Sequence, residues 1–380
     1  MFIERINGLR FDLDSISASR FAMFKAMKKA QIFTFKISDL PLSSALILKQ
    51  EAISVGGDFI TSKELILGQE KPYCGILIAT QNQLERLIEK CKIQPFGLKK
   101  LAVVLMEHLV DFKHCDSNVI QQKIPQIMGI INITEDSFYA DSRITNIDKI
   151  LQKIEAMIEN DVVIIDIGAA SSRPDSKRVE CSEELWRLRE PLKAIYDAGF
   201  TKKAIFSLDS YHYECVRFAF ECGFSIINDI EGLCDVRLAE LAKNSDKKIV
   251  LMHNSWLYPH SENIIKSVDD FFTQRLESLL NMGIKKEQII LDVGFGFGKN
   301  SVENLTLVRN LAHFKHFGCD MLMGASMKRT IGEIANKETQ ERLFGTLALH
   351  QIALDNGADI IRCHDFKAHI DMLKIWLALH

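Results

Sequence analysis

Two arginines and a histidine lie in short polar segments whose residue types could grip a doubly charged anion. One segment is Ser171-Ser172-Arg173-Pro174 and the other is Arg362-Cys363-His364-Asp365. Guanidinium forks match phosphate oxygens in bidentate geometry, so Arg173, Arg362 and His364 together suit a di-anion or a pyrophosphate. Asn132 adds a neutral oxygen, and an Mg²⁺ carried mostly by phosphate and water often takes only one or two protein ligands. A second set, Asp209, Asn228, Asp292 and Lys328, suits a planar heterocycle. Carboxylate and amide groups pair with an amino-pyrimidinone edge, and a lysine could donate to a ring carbonyl. Lys328 also admits a Schiff-base reading, but such lysines usually lie within a strand. This one falls in Gly324-Ala325-Ser326-Met327-Lys328-Arg329, beside a second cation.

The glycine-rich segment Gly294-Phe295-Gly296-Phe297-Gly298-Lys299 invites a nucleotide-binding reading and fails it. A dinucleotide fingerprint needs glycine where Lys299 stands. A phosphate-cradling Walker loop needs glycine at Val293 and Ser or Thr at Asn300. What remains is a close-packed turn leaving a strand, whose phenylalanines either wall a flat ligand or simply pack the core.

These groups need positioning elements, and a repeating pattern supplies them. Short runs rich in Ile, Val or Leu occur at 127–131, 162–167, 204–208, 225–227, 249–252, 289–291, 321–323 and 359–361. Runs of this kind suit strands buried on both faces, as in a parallel sheet. Amphipathic stretches at 147–159, 181–198, 213–222, 268–281 and 339–356 read as helices between them. Eight strand–helix units over this length match a TIM (β/α)8 barrel; an open doubly wound sheet would more commonly use five or six strands. Polar residues at successive strand ends would then converge on one mouth, where barrel enzymes place their chemistry. Helix capping by Asp and Asn would account for only two or three of them.

Residues 1–120 do not join this repeat. Strand-like runs at 32–37, 59–60 and 73–78, with helical stretches at 42–54, 81–91 and 98–107, read as an additional small α/β domain without a catalytic constellation. A polar stretch at 111–122 reads as a linker to the barrel domain, 121–380. Composition narrows the class. Of 380 residues 47% are hydrophobic and 26% charged, ordinary values for a globular chain. A net charge of -3 gives no electrostatic footprint for nucleic acid or anionic lipid. No run approaches a membrane span, and the charged start does not read as a signal peptide. The 9 cysteines are scattered without a C-x-x-C pair, which favours reduced thiols and a cytoplasmic setting over a disulfide framework or zinc site.

Taken in order, the motifs resemble those of the dihydropteroate synthase family. Met128-Gly129-Ile130-Ile131-Asn132-Ile133-Thr134-Glu135-Asp136-Ser137-Phe138 is similar to the family's first signature. Asp166-Ile167-Gly168-Ala169-Ala170-Ser171-Ser172-Arg173-Pro174 is similar to its second. Later family elements recur as Asp209-Ser210, Ile227-Asn228-Asp229-Ile230, Met252-His253, 292–299, 324–328 and 362–365.

The resemblance implies a barrel enzyme that joins a pterin pyrophosphate to p-aminobenzoate, with Mg²⁺ as cofactor. A homodimer is common in such a family, and sulfonamides compete for the aminobenzoate position. It implies Asn132 as metal ligand, and Asp209, Asn228, Asp292 and Lys328 as pterin-binding residues. Arg362 and His364 match pyrophosphate-binding positions, with Arg362 also against the pterin ring. Ser172 and Arg173 match a loop that closes over substrate, with Pro174 and Phe297 near the aminobenzoate. Arg173, Lys328, Arg362 and His364 are the expected catalytic set. Several positions depart from the pattern: Glu135 for a proline, Ala170 for a glutamate, Val293 for a proline, Met327 for an arginine and Arg329 for a small polar residue. The last two bear on the aminobenzoate carboxylate. The competing readings are a pterin-binding methyltransferase acting on methyl-tetrahydrofolate, which would not need the pyrophosphate cations, and a non-catalytic pterin-binding homologue.

Overall fold

The computed structural model describes residues 19–109, 124–133, 143–170 and 178–380. The chain divides into two compact units, Met1–Ser117 and Asn118–Leu379.

The first unit is built on a three-stranded antiparallel sheet in the order β1-β3-β2, with β1 Ile32–Leu40, β2 Asp58–Thr61 and β3 Tyr73–Thr80. The central strand alternates, burying Tyr73, Gly75, Leu77 and Ala79 while Cys74 and Ile76 face out. That period of two is what a sheet with one covered face requires. Helices α1 Arg20–Ala30, α2 Leu42–Ser54, α3 Gln81–Ile93 and α4 Leu98–Glu107 complete it. Leu48, Phe59, Leu77, Leu84, Leu87 and Leu98 share its core. A capping box between Thr80 and Gln83 ends β3 and starts α3 in one step, by satisfying orphan backbone donors. Helix α1 lies outside the elements that the sequence pattern predicts.

The second unit is a TIM barrel. Eight strands close in the order β10-β11-β4-β5-β6-β7-β8-β9, all parallel. They are β4 Gln126–Asn132, β5 Ile164–Gly168, β6 Ile205–Asp209, β7 Ile226–Asp229, β8 Lys248–Met252, β9 Ile289–Asp292, β10 Asp320–Met323 and β11 Ile360–Cys363. Each coincides with one of the apolar runs. Outside them run α5 Arg143–Glu159, α6 Cys181–Asp197, α7 Tyr213–Glu221, α8 Val236–Ser245, α9 Ile264–Asn281, α10 Ser301–Arg309, α11 Arg329–Ala335, α12 Leu343–Asp355 and α13 Phe366–Leu379. No helix among the described residues is long and apolar enough to cross a membrane.

The barrel has two cores because each strand buries both faces. Outward residues such as Ile165, Phe206, Leu208, Ile227 and Leu291 pack against the helices. Inward, Met128, Ile164, Ile226, Val250, Ile290, Leu322 and Ile360 fill the interior as a separate apolar plug. That plug is the floor on which the site stands.

Candidate active site

The residue two places beyond the plug is polar on four of these strands: Asp166 after Ile164, Asn228 after Ile226, Asp292 after Ile290 and Arg362 after Ile360. Strand side chains alternate between faces, so all four land on the inward face one layer nearer the C-terminal mouth. Asp209 joins them, lying opposite Asn228 in the β6–β7 register. Placing them there is strongly unfavourable without partners, and the partners are present.

Arg362 bridges two carboxylates. Its Nε donates to Asp166 Oδ2 at 2.7 Å and its Nη2 to Asp209 Oδ2 at 2.6 Å. Asn228 Nδ2 donates to the same Asp166 oxygen at 3.1 Å, while Asp166 Oδ1 is buried without a hydrogen bond among the described residues. Burial opposes the Arg362 charge, but Asp166 and Asp209 outweigh it and strengthen its hold on the proton. Burial raises the Asp209 carboxyl to about 6, with Arg362 pulling the other way. Asp292 is likewise raised by burial, against the pull of Lys328 and of the Gly294 N–H that donates to its Oδ1 at 2.8 Å.

Lys328 enters from the loop between β10 and α11. Burial lowers its ammonium to about 8, although Asp292 and Asp209 favour the charged form. It donates to the Phe295 carbonyl and lies 4.4 Å from the centroid of the Phe297 ring. The two phenylalanines thus divide the alternatives left open by the sequence. Phe295 is wholly buried in the core, whereas Phe297 carries the Lys328 ammonium on its face and meets Trp256 edge-on at 5.6 Å.

The glycine loop earns its composition at Gly294 and Gly296, with φ of 67° and 86°. A Cβ on Gly294 would stand 1.9 Å from the His253 carbonyl oxygen, and one on Gly296 would reach Lys328 Cδ at 3.0 Å. Lys299 locks the loop from beneath, donating to the carbonyls of His253, Gly294 and Phe297 at 3.0, 2.9 and 3.3 Å. Asn304 of α10 accepts from Gly296 N at 2.8 Å and donates to Lys299 O at 3.1 Å.

His364 follows β11 and is fixed by Ser326, whose Oγ lies 2.9 Å from its Nδ1 and accepts from its backbone N–H at 3.2 Å. Asn132 ends β4 with its side chain exposed, paired in register with Gly168, which in turn pairs with Asp209. A Cβ on Gly168 would lie 3.8 Å from Asn132 Oδ1 and 3.7 Å from Asp209 Oδ2, so these oxygens flank one open spot. A neutral oxygen beside a carboxylate already shared with Arg362 fits a divalent cation whose other ligands come from a phosphate ligand and water, not an all-protein cage.

Asp209, Asn228, Asp292, Lys328, Arg362 and Phe297 therefore meet at one mouth. Arg362, expected at the pyrophosphate and against the pterin ring, has two of its donor nitrogens on Asp166 and Asp209, beside the residues expected for the heterocycle. Ser172, Arg173, Pro174 and Glu135 lie outside the described residues. Met327 has a left-handed backbone, φ 59°, held by Thr346 Oγ1 and Arg342 Nη1. Arg329 does not replace the arginine missing at 327: its side chain is 88% exposed and pairs with Glu333 at 2.6 Å. Asp229 is a brace, its carboxylate accepting from the N–H groups of Glu231 and Leu233 at 2.7 and 3.0 Å. Two contributors lay outside the expected set of site residues, Asp166 and Lys299. A carboxylate inside the apolar run Val162-Val163-Ile164-Ile165-Asp166-Ile167 was the available signal for the first.

A family profile described as pterin binding enzyme matches residues 128–364. A bifunctional dihydropteroate synthase/dihydropteroate reductase of Helicobacter pylori is 42% identical over 100% of this chain and 99% of its own length. The dihydropteroate synthase of Haemophilus influenzae is 36% identical over 70% of this chain and 98% of its own. Among solved structures, dihydropteroate synthase from Clostridium difficile in the presence of pteroic acid superposes with a TM-score of 0.64 and 31% identity, covering 69% of this chain and 99% of that one. The Xanthomonas albilineans enzyme with 4-aminobenzoic acid gives 0.62 and 31%, covering 67% and 93%.

Proposed function

The chain belongs to the dihydropteroate synthase family of pterin binding enzymes, and from that premise we infer how its residues divide the reaction. It is a transferase of folate biosynthesis, in which the amine of p-aminobenzoate displaces pyrophosphate from 6-hydroxymethyl-7,8-dihydropterin pyrophosphate to give 7,8-dihydropteroate. The methyltransferase alternative is not favoured, since the relatives and structures named above are synthases.

Asp292, Asn228 and Asp209 read the amino-pyrimidinone edge, and Lys328 donates to the ring carbonyl. Arg362, held flat between two carboxylates, lies against the heterocycle. The C–O bond to pyrophosphate breaks as the C–N bond forms, and electron-rich pterin nitrogens stabilise positive charge at the methylene carbon. Aniline nitrogen is nucleophilic at neutral pH, so its proton leaves to water without a strong base. Arg173, Arg362 and His364 hold the departing pyrophosphate, the preorganised electrostatic term that usually dominates such steps. Mg²⁺, held by Asn132, would offset charge on the leaving group. Ser172, Pro174 and Phe297 border the aminobenzoate. Scattered cysteines support a cytoplasmic setting, and family habit supports a homodimer.

The observation that carries this assignment is the convergence of Asp209, Asn228, Asp292 and Lys328 above one apolar plug. A coupled assay of pyrophosphate release tests it. Release should require both substrates, and Asp292→Ala should weaken pterin pyrophosphate binding by about tenfold or more, since buried ligand donors lose their acceptor at about 1–3 kcal/mol each. Equal affinity in calorimetric titration would remove Asp292 from the pterin site.

A second activity rests on a specific observation. The Helicobacter pylori relative named as both synthase and reductase aligns with the whole chain, whereas the Haemophilus influenzae synthase reaches only 70% of it. That difference in coverage supports assigning reduction to the first unit. The reaction adds a hydride and a proton across the C=N bond left in the partly reduced pyrazine ring of 7,8-dihydropteroate, with an external hydride donor such as reduced nicotinamide being oxidised.

A further inference from the structure

Asp269 of α9 faces a 3-10 helix, Leu311–Phe317, that carries His313 and His316. Three residues make one turn of such a helix, so side chains at i and i+3 stack on one face. Nε2 of His313 and Nε2 of His316 accordingly stand 3.0 and 2.8 Å from the same atom, Asp269 Oδ1. One ligand atom from each of the three residues lies within 4.8 Å of the others. The rings are braced by aromatics: Phe317 packs on His316 at 4.0 Å between centroids, and Phe314 meets His313 edge-on at 5.1 Å. Phe272 of α9 closes the group from the opposite element, 5.7 Å from Phe314. Burial would raise the Asp269 carboxyl, but the two imidazoles hold it well below the usual carboxylate range. None of these residues takes part in the pterin machinery.

We propose that Asp269, His313 and His316 bind a late first-row divalent cation, Zn²⁺ above all, between α9 and the helix Leu311–Phe317. Two imidazole nitrogens and one carboxylate oxygen are a donor set that such ions take readily, whereas Mg²⁺ prefers oxygen alone. Zn–N and Zn–O bonds of about 2.0–2.2 Å at a tetrahedral angle separate ligand atoms by about 3.3 Å. The carboxylate–imidazole spacings of 3.0 and 2.8 Å therefore need only a few tenths of an ångström of opening, while the two imidazole nitrogens, which lie within 4.8 Å of each other, adjust towards the same separation. Each Nε2 must offer its lone pair, so a neutral imidazole moves its proton to Nδ1, and a charged one releases a proton. With His313 32% and Asp269 27% exposed, the ion reaches the site without unfolding, and water completes its coordination. The bound ion would tie α9 to the segment leading into β10, stabilising the barrel rather than serving the chemistry.

The test titrates the full-length, reduced, metal-free protein with ZnCl2 by calorimetry and with CoCl2 by visible absorption. We expect saturable Zn²⁺ binding at about micromolar Kd or tighter, with a Zn²⁺-dependent rise in Tm. Cobalt should show d–d bands without thiolate charge transfer, which separates this site from the exposed thiols Cys74 and Cys234. Asp269→Asn and the double variant His313→Ala/His316→Ala should lose at least about tenfold in affinity and the Tm rise, leaving pyrophosphate release unchanged. His316→Gln, which keeps a polar partner for Asp269 but removes an imidazole, decides the matter if the double variant melts early. Absence of saturable binding below about 100 μM, equal affinity in folded variants, or a thiolate signature in the cobalt spectrum would overturn the site.

Discussion

Arg362 has a buried carboxylate on each side, so removing it strands two negative charges, Asp166 and Asp209. Breaking a buried pair by deleting one partner costs about 3–5 kcal/mol. Arg362→Ala should therefore lower the urea midpoint as well as abolish most turnover, and Arg362→Lys should recover charge but not the fork. A variant that melts with the parent would show that the two carboxylates do not depend on Arg362 for stability. Lys328 sets a different limit. Its ammonium, pushed down to about 8 by burial, must be charged to donate to the ring carbonyl and offset Asp292. Protonation holds below that value and is lost above it, so kcat/KM for pterin pyrophosphate should fall as pH rises through about 8. Lys328→Met should lower the plateau and remove that limb; a limb unchanged in Lys328→Met belongs to another group. Glu184 affects stability instead. Its side chain is fully buried, accepts from Ser210 Oγ at 3.1 Å, and burial raises its carboxyl from 4.5 to about 7. A raised folded-state pKa means stability is full below the unfolded value and lost as pH rises through the folded one. Between about pH 4.5 and pH 7.5 the parent should lose about 1–3 kcal/mol more than Glu184→Gln, with no further difference at higher pH, and parallel pH profiles in urea melts would refute this.

At the scale of elements, what the sequence discloses is periodic and what it conceals is long-range. Each barrel strand announces itself as an apolar run, and on four of them a polar residue falls two places beyond the plug, as Asp292 does from Ile290. Period-two alternation carries that information locally. The partnership of Arg362 with Asp166 spans 196 positions, and no local pattern encodes it. Helix boundaries shift for local reasons. Helix α9 begins at Ile264, ahead of the expected 268, because the Asn263 side chain accepts from Lys266 N at 3.2 Å. The stretch expected as one helix from 339 is broken into Thr339–Glu341 and α12, with Arg342 between them bonded to the Met327 carbonyl at 3.1 Å. The glycine loop after β9 was legible as a tight turn, but its reason is the proximity of β8. Gly294→Ala would press a methyl into the His253 carbonyl from a left-handed backbone, where strain alone costs about 1–3 kcal/mol. Its expected result is a clearly lower Tm together with weakened pterin binding, because the Gly294 N–H and Asp292 move as one. A parental Tm and affinity would show that the loop yields to the added methyl.

The whole molecule joins two units whose cores share no residue, the first around Leu48, Phe59 and Leu77 and the second around the barrel sheet. A domain with its own closed core can fold alone when its interface with neighbours is small and polar. Every barrel strand begins at Gln126 or later, so a truncated chain of residues 118–380 keeps the complete sheet and every candidate site residue. Synthase relatives matching 70% of this chain over 98% of their own length indicate that a barrel of this extent suffices for the synthase reaction. The truncated chain should therefore release pyrophosphate at a rate comparable to the parent, with a cooperative melt. If reduction belongs to the first unit, the same chain should fail to oxidise reduced nicotinamide in the presence of 7,8-dihydropteroate, while the full chain does so. Loss of both activities in a soluble, cooperatively melting truncation would place part of the synthase site in residues 1–117. Retention of both would assign reduction to the barrel and leave the first unit without a catalytic task. Loss of reduction alone is the outcome expected if the proposed assignment of reduction to the first unit holds.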